Sequence, residues 1–325
     1  MHIEILKPGL ATTVQDLGRQ GNYHLGIPPS GGMDLASVKT ANWLVGNDED
    51  AAVLECSLMG PTLRFATGCL VAACGADMAP LVDGQPRAIN TAFCVPEGSE
   101  LSFGFVRDGA RLYLAVAGGI DVPHQLGSRS TYTLGRLGGV EGRPLKAEDR
   151  LPLAQPQRNV PEGRTLPHND CRFFGKSHEL RVVTGLYEHR VMPESIEQFY
   201  SETWSVASEA DRIGYRLKGG SALTFKEREP PFGAGSDPSN IVDACYPVGS
   251  IQVPSGSEPI ILHRDAVSGG GYATIATVIS ADMNRVGQMQ PHHQVHFTRV
   301  SMEEALQARR EEQKRLERLK CLLIG

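Results

Sequence analysis

The sequence predicts a mainly β protein, and three observations support this fold class. Between Ala51 and Leu114, short apolar runs such as LECSLMG and GCLVAAC alternate with the turn formers Pro-Thr, Asp-Gly and Glu-Gly-Ser. The chain contains 36 glycines and 21 prolines, both above average usage, as many short strands joined by turns require. From Ser239 to Asp282, β-branched runs again alternate with turns.

The sequence also predicts two units joined by a linker. A chain of 325 residues is long enough for two domains with substantial cores. The stretch QPQRNVPEGRTLPHN, residues 155–169, is polar, rich in proline and not periodic, as expected of an interdomain segment. We therefore predict an N-terminal unit over residues 1–154, a linker over residues 155–169, and a C-terminal unit over residues 170–325 that ends in a helix.

Capping residues mark the ends of the predicted helices. Asp34 precedes the apolar helical stripe of LASVKTANWLVGN, which predicts an N-cap, and Gly46 closes the same helix. Pro193 opens the stretch PESIEQFYSE at the first helical position, where proline is favoured. Ser301 and Glu304 have the spacing of a capping box at the start of the C-terminal helix.

Composition excludes several classes of function. A net charge of -5 and a charged fraction of 21% give no electrostatic reason to expect a nucleic-acid partner. The first ten residues, MHIEILKPGL, lack the apolar segment of a signal peptide, and no later apolar run could span a bilayer. We therefore expect a cytoplasmic protein without a membrane partner. The sequence has seven cysteines, an odd number, and no two of them have CxxC spacing. We therefore expect neither a disulfide framework nor a zinc site.

Motifs for common cofactors are also missing from the sequence. His292, His293 and His296 lie at the start of a predicted strand, where consecutive side chains point to opposite faces, so we predict no metal site. The sequence has no Walker A motif, no GxGxxG after a strand, no GxSxG and no HExxH. It has no Met-Lys-Met segment of the type that carries biotin. We predict no covalently bound cofactor, so ATP or biotin chemistry would require another chain.

A glycine-rich stretch in the second half is surrounded by polar candidates. Three consecutive glycines, Gly269 to Gly271, cost backbone entropy and predict a loop, where the chain turns sharply or another group approaches the backbone closely. The surrounding donors and acceptors could hold a small polar ligand, and the alternative is an ordinary polar turn. These surrounding candidates are Asn240, Tyr246, Gln252, Asp265 and Tyr272.

Two polar loops in the first half carry further candidates. In the loop from Gly9 to Asp34, polar side chains could bind a ligand, or Asp16 and Arg19 could form a structural ion pair. The stretch GSRSTY surrounds Arg129 with hydroxyl groups, and its guanidinium fork suits a carboxylate or phosphate but could equally fasten the loop. The candidates from the two loops are Asp16, Arg19, Ser30, Arg129 and Tyr132.

A series of collinear motifs resembles one known family. In order, these motifs are TTVQDLGRQG, SGGMD, ANWLVGN, LECSLMGPTLRF, GSRSTY, DRIGYRL, VGSIQVPSGSEPIIL and GGYATIATVISAD. They resemble the biotin-dependent carboxyltransferase-like family, also called allophanate hydrolase subunit 2, which includes KipA and the C subunit of 5-oxoprolinase. The resemblance covers residues 3–305 and implies two cyclophilin-like β-barrel units with a few short helices and a C-terminal helix. It also implies a partner of the KipI type, which corresponds to the B subunit of 5-oxoprolinase, and in the 5-oxoprolinase branch a further partner like its A subunit.

The resemblance implies part of an enzyme that acts on a small amide or lactam. One branch takes part in ATP-dependent hydrolysis of 5-oxo-L-proline to L-glutamate, and this is the activity we expect. The alternatives are carboxyl transfer from carboxybiotin to urea or a related amide, and a non-catalytic KipA-like regulator that binds a KipI-like chain. In each enzymatic case ATP or carboxybiotin would come through partner subunits.

The resemblance also suggests roles for the candidates. Asn240, Tyr246 and Gln252 would orient the substrate, and backbone N–H groups of the three glycines would stabilise an oxyanion or phosphate. Asp265 would be a general base or a hydrogen-bond anchor, while Arg19 and Arg129 would hold a carboxylate. Where many members read Asp-x-Gln-Thr-Thr-Gly-Gly-Tyr, this chain reads DAVSGGGY, and the lost glutamine and threonine are consistent with a changed substrate.

Overall fold

The computed structural model describes residues 1–324 and divides into two compact units. The first unit contains Met1–Gln20, Ser30–Phe174 and the chain from Lys314 onward, and the second contains Gly21–Pro29 and Gly175–Gln313. Strands dominate both units, which confirms the mainly β fold class. Within the described residues, no helix combines the length and the apolar character needed to cross a bilayer.

The strands and helices have the following bounds. The strands of the first unit are β1 (His2–Lys7), β2 (Ala11–Gln15), β3 (Val53–Ser57), β4 (Thr62–Phe65), β5 (Cys69–Asp77), β6 (Pro80–Val82), β7 (Gln85–Pro86), β8 (Ala92–Val95), β9 (Glu100–Phe103), β10 (Asp108–Val116) and β11 (Arg150–Pro152). The strands of the second unit are β12 (Ser177–Thr184), β13 (Trp204–Val206), β14 (Gly214–Lys218), β15 (Asn240–Cys245), β16 (Ser250–Gln252), β17 (Ile260–Leu262), β18 (Gly269–Tyr272), β19 (Thr274–Val278) and β20 (Gln294–Arg299). The helices are α1 (Leu35–Leu44), α2 (Pro193–Ser201), α3 (Met283–Val286) and α4 (Met302–Ile324).

Two sheets pack face to face in the first unit. One has the strand order β11-β1-β4-β9-β6-β7 and the other has the order β2-β3-β10-β5-β8. Side chains of β10 alternate between two cores, because successive residues of a strand point to opposite faces. Leu112, Leu114 and Val116 lie in the core between the sheets, whereas Tyr113 and Ala115 lie in a second core that includes residues of α1 and the end of α4. Burial of both faces explains the nearly continuous apolar sequence of β10.

The second unit is a closed barrel with an additional two-stranded ribbon. The barrel order is β12-β19-β16-β17-β14-β13-β20, and β12 and β20 run parallel. Its interior includes Leu180, Val182, Ile251, Ile261 and Val295, as expected of a small barrel filled by side chains. The ribbon consists of β15 and β18. The resemblance implied a barrel in each unit; among the described residues the second unit closes a barrel, and the first unit stacks two sheets instead.

The predicted helix caps are confirmed. The Asp34 carboxylate accepts a hydrogen bond at 3.1 Å from the N–H three residues later, and Gly46 follows α1 with a φ of 77°. Pro193 is the first residue of α2. The Ser301 N–H donates to the Glu304 carboxylate at 2.7 Å, and the Glu304 N–H donates to the Ser301 hydroxyl at 3.1 Å.

Residues 155–169, for which we predicted a linker, belong to the first unit. Thr165 forms a β-bridge with Thr91, and the Ala92 N–H donates to the Arg164 carbonyl at 2.8 Å. The last turns of α4 also belong to this unit rather than to the second. These contacts join segments that are far apart in the sequence, so local composition gives no sign of them.

Candidate functional site

The glycine-rich stretch forms one strand of the ribbon. β15 and β18 are antiparallel, with Asn240 opposite Tyr272 and Ala244 opposite Gly270. The prediction of a loop at these glycines was therefore wrong, because a neighbouring strand pairs with them. The predicted close approach is confirmed, since a Cβ added to any of the three glycines would lie 3.0 to 3.2 Å from β15 carbonyl oxygens or the Tyr246 ring.

The Tyr246 side chain forms two hydrogen bonds with the backbone of the ribbon. Its side chain is buried, and its hydroxyl donates to the Tyr272 carbonyl at 2.8 Å and accepts from the Tyr272 N–H at 2.7 Å. Burial raises the pKa of Tyr246, so the phenol keeps its proton at neutral pH. The single hydroxyl proton is used to hold the ribbon, and the catalytic role of Tyr246 stays a prediction.

Gln252 lies beside the end of the ribbon and has an unpartnered polar atom. It pairs with Thr274 across β16 and β19, and on the other side of β19 the Tyr187 N–H donates to the Thr274 carbonyl at 3.0 Å. The Gln252 Oε1 atom is buried and has no hydrogen-bond partner. A buried amide oxygen without a partner costs free energy, so such an atom is a candidate for contact with a ligand.

Two arginines that the sequence reasoning missed converge on the ribbon. Nη1 of Arg190 donates to the Asn240 carbonyl at 3.1 Å, and its Nη2 donates to the Pro238 carbonyl. Nη2 of Arg228 donates to the same Asn240 carbonyl. The Nε atom of each arginine is buried without an acceptor. Nothing in the local stretches YEHRV and KEREP distinguishes these arginines from others in the chain.

Asp265 forms a buried ion pair. Nε of Arg212 donates to its Oδ2 at 2.8 Å, and Nη2 donates to its Oδ1 at 3.2 Å. The side chain of Asp265 is 3% exposed. The next residue, Ala266, packs in one apolar cluster with Tyr246. Because both carboxylate oxygens hold a guanidinium, these contacts favour the hydrogen-bond anchor over the general base among the two roles suggested for Asp265.

The first-unit candidate Asp16 is the centre of a hydrogen-bond network. Its carboxylate accepts from the Gly18 N–H, the hydroxyls of Ser128 and Ser130, and the Arg129 N–H, at 2.5 to 2.7 Å. These bonds fasten the loop that follows β2 to the loop around Arg129. They are the contacts expected if the loop is simply held in place, and a substrate-binding role for Asp16 stays a prediction.

Arg19 and Arg129 donate to other groups of the same unit. Arg19 is 1% exposed and donates to the carbonyls of Gln125 and Ser130. Arg129 pairs with Asp121 at 2.8 Å. The carboxylate-binding role of these arginines stays a prediction, and a ligand at Arg129 would compete with an existing ion pair.

Tyr132 has surroundings that reflect packing. Its ring lies 2.6 Å from the position that a Cβ on Gly135 would take. Its N–H donates to the Leu137 carbonyl at 2.8 Å. The ring thus fits against a glycine, and its substrate-binding role stays a prediction.

Ser30 combines an unusual backbone conformation with a buried hydroxyl group that has no hydrogen-bond partner. Its φ is 50°, in the left-handed region that serine rarely adopts, and it is fully buried. The hydroxyl has no hydrogen-bond partner. Strained backbone and an unsatisfied polar group together are typical of binding sites.

Within the second unit, most of the candidates lie on or beside the ribbon. Asn240, Tyr246, Tyr272 and the glycines share the ribbon, with Gln252 joined to its end through Thr274. A cavity of about 370 Å³ in the first unit contains none of the candidates, since it is lined by Met1, Gly68, Cys69, Leu70, Ala117, Pro156, Arg158, Asn159 and Val160.

One histidine of the stretch, His293, contacts another histidine, His178. The ring of His293 stacks on that of His178, and Nε2 of His178 lies 2.9 Å from Nδ1 of His293. Over residues 1–324, no group of three or more His, Cys, Asp or Glu side chains is arranged to hold a metal ion.

Comparisons with known proteins agree with the fold and the motifs. A family model described as carboxyltransferase domain, subdomain A and B, matches residues 25–299. The chain is 36% identical to the C subunit of 5-oxoprolinase from Escherichia coli (strain K12), over 98% of this chain and 97% of that protein. It is 37% identical to a urea amidolyase of Lachancea kluyveri, over 97% of this chain and 18% of that protein. A crystal structure of the K. lactis urea amidolyase matches with a TM-score of 0.92 and 36% identity, over 98% of this chain and 20% of that chain.

These matches extend over nearly the whole chain. The share of each relative that is covered differs. The chain spans about a fifth of the length of the urea amidolyase relatives and nearly all of the 5-oxoprolinase relative. With the model match over residues 25–299, this shows that the chain belongs to the carboxyltransferase domain family, subdomain A and B.

Proposed function

We propose that this chain is the C subunit of a 5-oxoprolinase-type complex, which hydrolyses 5-oxo-L-proline to L-glutamate at the expense of ATP. The observation that carries the proposal is the coextensive match to the C subunit of Escherichia coli 5-oxoprolinase, which covers 98% of this chain and 97% of that protein. The match to the Lachancea kluyveri urea amidolyase covers 18% of that protein, so its overall activity is the weaker inference.

The chemistry of the ribbon supports a small amide or lactam as the substrate. A lactam offers one N–H donor and one carbonyl acceptor. The buried Gln252 amide oxygen lacks a donor, and the side chains of Asn240 and Tyr272 stand on the same ribbon. In the proposed site these side chains orient the lactam, and backbone N–H groups of the glycine strand stabilise charge on the carbonyl oxygen as the ring opens.

Asp265 and Tyr246 are proposed to act by positioning. Asp265 forms an ion pair with Arg212. The Tyr246 hydroxyl forms hydrogen bonds with both the N–H and the carbonyl of Tyr272. A ribbon fixed in this way presents its polar groups without having to reorganise when the substrate binds.

The proposal includes two partner proteins in a cytoplasmic complex. One is a KipI-like chain, which corresponds to the B subunit of 5-oxoprolinase, and the other resembles the A subunit. The sequence has neither a Walker A motif nor a Met-Lys-Met segment, so ATP, or carboxybiotin in a carboxyltransferase, would be supplied through the partners.

A second candidate is carboxyl transfer to urea or a related small amide. It is favoured by the TM-score of 0.92 to the K. lactis urea amidolyase and by the family model. In this case the same ribbon would hold a neutral amide, and a biotin-carrying partner would be required.

The decisive experiment measures ATP-dependent release of glutamate from 5-oxo-L-proline. The chain is co-purified with the products of its neighbouring genes, and each protein is then omitted in turn. We expect release to require this chain together with ATP. A complete complex that releases no glutamate, or releases it equally well without this chain, would contradict the proposal; carboxylation of urea with carboxybiotin would instead support the second candidate.

A further inference from the structure

We propose that Arg190 and Arg228 form a carboxylate-binding subsite beside the ribbon, so that the substrate is an amide or lactam that carries its own carboxylate. This inference rests on the proposed function and specifies its substrate class. A neutral amide such as urea lacks the group that the two arginines would bind.

Arg190 and Arg228 bring two positive charges to one carbonyl, and within residues 1–324 neither forms an ion pair with a carboxylate. Both donate to the carbonyl of Asn240, so their guanidinium groups lie close together. Four other arginines of the same unit pair with carboxylates. Their pairs are Arg181–Asp282, Arg212–Asp265, Arg216–Glu258 and Arg299–Glu188. For Arg190 and Arg228, the bonds within the described residues go to main-chain carbonyls.

The electrostatics of the pair favour an anion. Burial and the neighbouring Arg228 guanidinium both lower the pKa of Arg190, which means that its charged form is under-compensated. Two like charges that share one carbonyl repel each other, and an anion between them would relieve that repulsion. The Tyr187 ring lies under Arg190, with its centroid 5.9 Å from Cζ, and restrains the orientation of the guanidinium group.

The hydrogen-bond inventory points to a planar, two-oxygen ligand. The Nη atoms that contact Pro238 and Asn240 fix the positions of the guanidinium forks. The Nε–H of each arginine has no acceptor. Two guanidinium groups with unused N–H donors suit the two oxygens of a carboxylate, which arginine binds in a bidentate manner.

A second buried polar atom without a partner, Oε1 of Gln252, lies in the same unit. Gln252 and Tyr187 flank Thr274 on the two sides of β19, so the Gln252 amide and the arginine pair belong to the same end of the barrel. The Gln252 oxygen lacks a donor, whereas the arginines lack acceptors. A lactam that carries a carboxylate offers an N–H for the first group and an anion for the second, and 5-oxo-L-proline has both.

The test measures binding to the full chain by isothermal titration, in the absence of ATP and partners. The probes are 5-oxo-L-proline, the neutral ring 2-pyrrolidinone, urea and orthophosphate. We expect the carboxylated lactam to bind at least about 10-fold more tightly than 2-pyrrolidinone, because a charge-assisted hydrogen bond is lost with the carboxylate. R228Q and R190Q should each remove most of this preference. R228K, which keeps the charge but not the fork, should retain part of it.

The matched control is R216Q. Arg216 belongs to the same unit and pairs with Glu258 at 2.9 Å, so this substitution removes a guanidinium that a carboxylate already holds. It should leave the preference for 5-oxo-L-proline unchanged. Circular dichroism of each variant verifies the fold, and if R228Q is unfolded the comparison of R190Q and R228K with the control replaces it.

Three outcomes would overturn the inference. They are equal or undetectable binding of the two lactams, a preference that survives in R190Q and R228Q, and an equal loss in the R216Q control. Orthophosphate binding that depends on Arg228, without any preference between the lactams, would assign the pair to a phosphate instead. The failure of the proposed function is separate, since it is read from glutamate release by the complex and not from binding to this chain.

Discussion

At the scale of single residues, several polar side chains of each unit have a buried atom without a hydrogen-bond partner. Gln252, Ser30, Arg190 and Arg228 each have a buried side-chain atom that lacks a hydrogen bond. Each such atom costs about 1–3 kcal/mol of stability. A folded protein tolerates this cost most readily where a ligand supplies the missing bond. Such atoms therefore add a structural reason to examine these positions as candidate contacts.

Asp149 provides a residue-scale prediction about pH. The hydrogen bonds from Arg143, at 2.7 and 2.9 Å, hold the pKa of the Asp149 carboxyl below its usual range. Because the pKa is depressed in the folded state, this contribution is complete above the ordinary carboxyl pKa of about 4 and is lost as the pH falls through the lower folded value. We expect D149N to lower the free energy of unfolding by about 1 kcal/mol at pH 7, allowing for solvent screening at the partly exposed Arg143.

The measurement is urea denaturation of wild type and D149N between pH 7 and pH 2.5. The difference between the two should shrink toward the acid end, where wild-type Asp149 becomes protonated. The control D48N removes a carboxylate from the exposed pair with Arg158 and should change stability by less than about 0.5 kcal/mol. A D149N effect that does not depend on pH would show that charge is not its cause.

At the scale of elements, the ribbon owes its shape to close contacts at its glycines. A Cβ on Gly270 would lie 3.1 Å from Cε2 of Tyr246, which is tighter than an ordinary contact. Tyr246 in turn holds Tyr272 through two hydrogen bonds. The ribbon and Tyr246 therefore pack closely as one element. Asn240 and Tyr272 belong to the two strands of this ribbon.

We expect G270A to displace Tyr246 and to lower stability by about 1 kcal/mol relative to G104A. Gly104 has no atom within 4 Å of an added Cβ, so G104A should be neutral or slightly stabilising. Thermal unfolding of both variants measures the difference, and binding of 5-oxo-L-proline should weaken in G270A alone. Equal melting temperatures for the two variants would mean that Tyr246 adjusts to the methyl group without cost.

At the scale of the whole molecule, each unit is assembled from separate segments of the chain. The first unit includes the chain from Lys314 onward, which follows all the strands of the second unit in the sequence. Within the first unit, Leu319 and Leu323 of α4 pack in one core with Trp43 and Leu44 of α1. The sequence predicted this helix as part of the C-terminal unit, and its last turns instead complete the core of the first.

This arrangement predicts that the end of α4 stabilises the first unit. L319A removes a fully buried side chain and should cost about 2–5 kcal/mol. L322A changes the same residue type on the same helix at a position that is 58% exposed, and should cost less than about 0.5 kcal/mol. Chemical denaturation compares the two, and similar small losses would show that the helix end does not contribute to the core.

The sequence by itself determined the features that depend on nearby residues. Asp34 and Ser301 cap helices through groups three residues away, and apolar alternation specified the mainly β class. The run Gly269 to Gly271 also predicted a close approach of other atoms to the backbone, because a residue without a Cβ leaves room for it.

Only the tertiary structure decided which distant groups meet. Arg190 contacts a carbonyl 50 residues away, and the glycines pair with β15 to form a strand where local composition predicted a loop. Leu319 packs in the first-unit core because the chain from Lys314 onward belongs to that unit again. Caps and turns arise from hydrogen bonds and steric limits within a few residues, whereas these contacts depend on packing between segments whose separation along the chain leaves no local pattern.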